Sequence, residues 1–155
     1  MREIILREFF LGQVTPEVLT KDVLGSVQQI GPIEFSVEIE DMSEEFSVTR
    51  EMLVSLCDAV LSRKFPASEL STIAFALEAS PSFVWDGEDL MGRVIDDWAC
   101  PEINYPLTFE NVQKFKNWLL ELGPYPTKLV PRPSSKGERL VVVRKKRFLP
   151  KQQND

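Results

Sequence analysis

The chain has 155 residues, 43% hydrophobic and 27% charged, with a formal net charge of −6. One domain of this size buries roughly 70% of the surface its unfolded chain exposes, so it can fold without disulfides. Histidine is absent, which excludes Ser-His-Asp and Cys-His catalysis within the chain and every His-ligated metal site.

The cysteines are Cys57 and Cys100, too few for a four-cysteine zinc site and too far apart for a CxxC redox pair. Charge is unevenly spread. Residues 1–123 hold 9 basic and 22 acidic side chains, whereas residues 124–155 hold 9 and 2. An acidic body repels nucleic acid and anionic lipid and attracts basic partners at long range. No stretch approaches the length of a membrane span. Glu3, Arg7 and Glu8 interrupt the apolar N-terminus, which argues against a signal peptide. The expected compartment is the reducing cytoplasm.

In chain order, residues 2–11 read as a helix with Ile5 and Phe9 at helical spacing, stopped by Gly12. Thr15-Pro16-Glu17 starts a second helix, with Val18, Leu19, Val23 and Leu24 as its apolar side and Gly25 as its end. After Gly31-Pro32 the period changes to two. Ile33, Phe35, Val37 and Ile39 alternate with Glu34, Ser36, Glu38 and Glu40, predicting a half-buried strand with one acidic face.

Helical spacing returns from Thr49, with Leu53, Leu56 and Val60 on one side, and Phe65-Pro66 closes that segment. Leu70, Ile73, Ala74 and Leu77 mark a further helix, ended by Ser80-Pro81. Leu90, Met91, Val94, Ile95 and Trp98 mark another. Residues 99–107 hold two prolines and read as a loop. Thr108 caps a last helix carrying Val112, Phe115, Leu119 and Leu122, and Gly123-Pro124 stops it.

The sequence thus predicts an α+β, mainly α domain: five or six helices and a small two-stranded antiparallel ribbon. Its strands lie near 33–41 and 140–149, where acidic residues of one face Arg144, Lys145, Lys146 and Arg147 of the other. Residues 1–123 form the acidic helical body and 124–139 a proline-rich linker. Residues 140–149 form a basic strand packing back on the body, and 150–155 a frayed tail.

The densest acidic cluster comprises Asp86, Glu88, Asp89, Asp96, Asp97 and Glu102. Metal or acid/base chemistry would need carboxylates converging across a cleft, but neighbouring Asp96 and Asp97 diverge on a helix by about 100°. Trp85 and Tyr105 flank the cluster as aromatic anchors in a ring of charge. These eight residues are the candidate partner-binding surface. No catalytic, cofactor-binding or metal-ligating residue is assigned, and no cofactor is expected. Cys57 reads as core and Cys100 as a reachable loop thiol.

Several segments carry a family resemblance. They are Phe10-Leu11-Gly12-Gln13-Val14-Thr15-Pro16-Glu17, Leu56-Cys57-Asp58-Ala59-Val60-Leu61, Leu70 to Leu77, Phe83-Val84-Trp85-Asp86, Trp98-Ala99-Cys100-Pro101-Glu102-Ile103-Asn104, Pro106-Leu107-Thr108 and Trp118-Leu119. Together they resemble small acidic helical bacterial proteins of the contact-dependent and colicin-type toxin immunity group. The likeness covers about half the chain, and the basic C-terminal segment departs from it. It implies a non-catalytic module that neutralises a basic toxin by covering its active site, and it transfers no residue role. The alternatives are a carboxylate- or metal-dependent enzyme using residues 86–102, and a nucleic-acid-associated protein using the basic C-terminal strand.

Overall fold

The computed structural model describes residues 1–85, 89–124 and 139–145, the last segment and Asp89 by their backbone. Six α-helices lie among the described residues. They are α1 (Glu3–Phe10), α2 (Pro16–Ser26), α3 (Arg50–Leu61), α4 (Leu70–Ala79), α5 (Asp89–Ala99) and α6 (Phe109–Leu119). The strands are β1 (Val27–Gln29), β2 (Glu34–Glu40), β3 (Phe46–Ser47), β4 (Phe83–Val84) and β5 (Arg139–Lys145). The chain is therefore mainly α with some β, as its periodicities predict.

Each helix buries one stripe. In α3 it is Leu53, Leu56, Cys57 and Val60; in α4 Leu70, Ile73, Ala74 and Leu77; in α5 Met91, Val94, Ile95 and Trp98; in α6 Val112, Phe115 and Leu119. These stripes merge into one core, with α3 packed on α6 and α4 on α5. Burial of each large apolar side chain contributes roughly 1.5–3 kcal/mol before entropy is counted. Thr108 caps α6 as expected: the Asn111 N–H donates to its Oγ1 at 3.2 Å. Where α6 faces α5, Trp98 and Phe115 meet edge to face at 6.1 Å, and Tyr105 and Trp118 extend the cluster.

Helix α2 buries Leu19, Val23 and Ser26, whereas Val18 and Leu24 are exposed. The expected apolar side was too wide: a helix buries a stripe about 100° across, and positions 19, 23 and 26 fill it. The helix also runs through Gly25 and passes directly into β1.

Strand β2 is the centre of a three-stranded sheet ordered β1-β2-β5. Val37 and Ile39 are fully buried beneath it, while Ile33 lies outside the strand and is exposed. β1 returns through the Gly31-Pro32 turn to pair antiparallel with β2. Beyond β1, the Glu40 N–H donates to the Met1 carbonyl at 2.9 Å, and Arg2 bridges Glu40. On the other edge the basic strand pairs with β2 as expected, but the direction differs. The strands run parallel, not antiparallel. A parallel pair needs a connection of about a dozen residues or more, and the chain between α6 and β5 supplies it. The register explains the preference. It sets Arg139 at register with Glu34 and Lys145 with Glu40, so positions of unlike charge are opposed at both ends. Residues 125–138 of the predicted linker at 124–139, and residues 146–155 with Lys146, Arg147 and the predicted frayed tail, lie outside the described residues.

A second, two-residue pairing joins β3 and β4 in parallel. It sits over Phe10, Phe46 and Phe83, whose rings lie 6.1–6.5 Å apart. The fully buried Glu3 stabilises the preceding loop, its Oε2 accepting from the Met42 N–H at 2.8 Å.

Replacing Phe115 by Ala is expected to lower unfolding stability by about 3–5 kcal/mol in urea titration, because the aromatic cluster cannot collapse into the void. Phe109, 46% exposed on the same helix, should cost under about 1 kcal/mol when truncated to Ala.

Candidate functional site

The acidic surface is built where α4 and α5 end. Helix α5 must bury Met91, Val94, Ile95 and Trp98, and this fixes the direction of every other side chain on it. Asp96 falls on the exposed side and Asp97 on the buried side, 5% exposed. The two diverge as their spacing requires. Asn104 Nδ2 donates to Asp97 Oδ1, tying the turn after α5 back onto the helix. The Cys100 N–H donates to the Asp96 carbonyl at 3.1 Å, and the Ile103 N–H to the Cys100 carbonyl at 3.0 Å. Glu102 projects from this turn and is exposed.

Of the expected surface, Asp96, Asp97 and Glu102 are brought together about Cys100, whose thiol feels all three. Trp85 and Tyr105 are half-buried and pack on the core. Tyr105 leans on Phe115 at 5.7 Å and Trp118 at 5.5 Å, so its ring supports the face from beneath. Asp86 and Glu88 lie outside the described residues, and Asp89 opens α5 with its backbone.

One member of the face was missed by the sequence reading: Glu78, in the last turn of α4. Its carboxyl stands near enough to that of Asp96 to feel its charge. The signal was present as an acid at a helix C-terminus, where the peptide dipoles present partial negative charge. Neither α4 nor α5 carries a basic residue in its last turn. Partial burial first, and contact with Asp96 second, push the Glu78 carboxyl up to about 7. Burial and then the charges of Glu102, Glu78, Asp96 and Asp97 push the Cys100 thiol up as well. Cys57, buried in α3, is pushed up to about 12, chiefly by burial.

Such an arrangement concentrates negative potential. It suits a cation or a basic side chain more than nucleophilic chemistry, since a thiol among carboxylates is held in its unreactive form. Among the described residues no group of three or more acidic or cysteine side chains is placed to hold a metal ion. A cleft of about 650 Å³ between α2 and β2 is lined by none of these acids; Arg2, Lys21, Asp22, Glu38 and Glu40 lie along it, with Arg2 and Asp22 paired at 2.7 Å. No described helix is long and apolar enough to cross a membrane.

The buried and exposed acids should separate on mutation. Asn104→Ala leaves Asp97 without that donor and is expected to lower stability by about 1–3 kcal/mol, whereas Asp96→Asn should leave the melting temperature unchanged or raise it. Thiol alkylation at pH 7.5 offers a second check. Cys100 should react more slowly than a free cysteine in a short peptide, and reaction should accelerate when Glu102 is replaced by Gln. No family model, curated protein or solved structure matches the chain, so every role assigned to this face rests on its own geometry.

Proposed function

We propose that the chain is a non-catalytic protein-binding module that receives a basic partner on the face formed by the ends of α4 and α5. The observation that carries this reading is the meeting of Glu78, Asp96 and Glu102 at the negative ends of two helices, neither of which has a basic residue in its last turn. Potentials of this kind steer oppositely charged partners into register and reject like-charged ones. Half-buried Trp85 and Tyr105 supply a rigid aromatic base beside the charge.

The finer proposal is an immunity-type protein acting in the cytoplasm. Its target would be a toxin whose basic cleft otherwise grips nucleic acid, with the acidic face occupying that cleft as a phosphate backbone would. The sequence resemblance points the same way. A nucleic-acid role for the basic strand is disfavoured because the register sets Arg139 and Lys145 opposite Glu34 and Glu40.

The test is rescue. The chain is co-expressed with any growth-arresting product of the adjacent genes, and growth should be restored. The double reversal Asp96→Lys with Glu102→Lys should abolish rescue and weaken direct binding by about 10–100-fold, with circular dichroism and melting unchanged. Binding by the unmodified chain should weaken as salt rises. Rescue that survives the reversal, or the lack of any basic partner at low salt, overturns the proposal.

A further inference from the structure

Helix α3 ends in a tight turn whose backbone is held from several sides. The Ser62 and Arg63 N–H groups donate to the Asp58 and Val60 carbonyls at 2.9 and 2.8 Å, and those of Lys64 and Phe65 both donate to the Ala59 carbonyl, at 2.9 and 3.1 Å. The Thr20 hydroxyl, from α2, donates to the Lys64 carbonyl at 3.2 Å. Backbone N–H groups thus satisfy these helix-end carbonyls, and the side chains of Arg63 and Lys64 are not needed to cap them.

Arg63 stands in this turn at φ 61°, in the left-handed region that glycine occupies freely and a long side chain occupies at a cost. What arginine gains there lies outside the backbone. Its guanidinium sits over the Phe109 ring, 5.3 Å from the centroid. Phe109 opens α6 and is 46% exposed, so this cation–π contact is made at the surface. Both side chains belong to the lining of a pocket of about 340 Å³, together with Thr20, Lys64, Phe65 and Pro66. Two cations and no acid line it, in a body whose residues 1–123 hold 9 basic and 22 acidic side chains.

We propose that this pocket is a docking site for an acidic peptide segment of a partner protein, with a carboxylate received by Arg63 and Lys64 and a neighbouring apolar side chain of the segment laid against Phe109 and Pro66. A guanidinium presents a planar fork of donors that matches a carboxylate. Here it already rests on a ring and rises from a fixed turn, so little freedom is lost when the ligand arrives. Lys64 is exposed and adds a second positive charge beside it.

The flanks favour a short acidic segment over nucleic acid. Glu17 on α2 is near enough to feel Lys64, and Glu110 follows Phe109 in α6, paired with Lys114 at 2.9 Å. One or two carboxylates use the cations without reaching these acids, whereas a run of phosphates extends over them and onto the acidic body. The site is opposite in sign to the α4–α5 face and goes beyond the partner proposed for that face, so either can fail without the other.

The experiment is amide NMR shift mapping on the full chain. The probes are the end-blocked peptide Gly-Asp-Phe-Glu-Gly, its charge-reversed counterpart Gly-Lys-Phe-Lys-Gly, and single-stranded oligothymidylate. The acidic peptide at millimolar concentration should move the amides of Arg63, Lys64, Phe65 and Phe109, and less so as salt rises. The lysine peptide should leave those amides still. Arg63→Gly should weaken the acidic peptide about tenfold, while its melting temperature holds or rises by up to about 3 °C because glycine accepts the left-handed turn. Phe109→Ala, at an exposed position, should weaken the peptide by a similar factor with the fold intact. Stationary amides with the acidic peptide, an equal response to the lysine peptide, or tighter binding of oligothymidylate at the same amides would overturn the proposal. So would a fall in melting temperature for Arg63→Gly, which makes the guanidinium a structural clamp on Phe109.

Discussion

The apolar stripe of α5 decides what the acidic face can be. Met91, Val94, Ile95 and Trp98 are each 3% exposed or less, and their burial is worth several kcal/mol together. Interactions among surface charges amount to tenths of a kcal/mol up to about one. The helix therefore rotates to satisfy its apolar side, and the acids take whatever positions remain. Asp97 is carried inward and must find Asn104. Asp96 is carried outward and meets Glu78. An unfavourable contact between like groups is tolerated because the packing beneath it is much stronger.

That ordering of magnitudes gives the face its meaning. Helices usually place cations at their C-terminal ends, where each contributes about 0.3–1 kcal/mol. Helix α6 follows the rule, with Lys116 in its last turn and paired to Asp58 at 2.6 Å. Helices α2 to α5 carry no basic residue in their last turns, and the ends of α4 and α5 differ in bringing acids of two helices, Glu78 and Asp96, to one place. Local rules are broken most often where a surface has something to bind, since stability given up there is recovered from packing elsewhere. A basic side chain arriving at this spot would meet two helix ends and several carboxylates already oriented, with little rearrangement to make.

The legibility of the chain followed the strength of its periodicity. The stripes of α3 to α6 were readable because each is long, and Thr108 and the prolines fixed their limits. The acidic strand at 34–40 was readable because alternation over seven residues has a single interpretation. β1, β3 and β4 were not, being two or three residues long, too short for any period to register. The direction of β5 was hidden for another reason. Its side-chain alternation is the same whichever way it runs, and a long connection permits either; Arg139, which lies at the far end from Arg144 and Lys145, supplies the charge argument for the parallel register. At the site, the divergence of Asp96 and Asp97 was legible, but which of them turns inward depended on where α4 and the turn bearing Asn104 would lie. Glu78 was missed because it closes an otherwise apolar helix, and nothing in the local pattern shows that another acid will stand opposite.

The basic C-terminal segment is best understood through what it does to this charge distribution. Parallel pairing places Arg139 and Lys145 at register with Glu34 and Glu40, so basic and acidic positions of the chain are opposed along the sheet. At the ends of α4 and α5 the acids Glu78, Asp96 and Glu102 come together instead, with no basic residue in either last turn. A basic side chain arriving there meets carboxylates from two helices and the turn between α5 and α6 at once, which is the arrangement that favours a cationic partner over an anionic one.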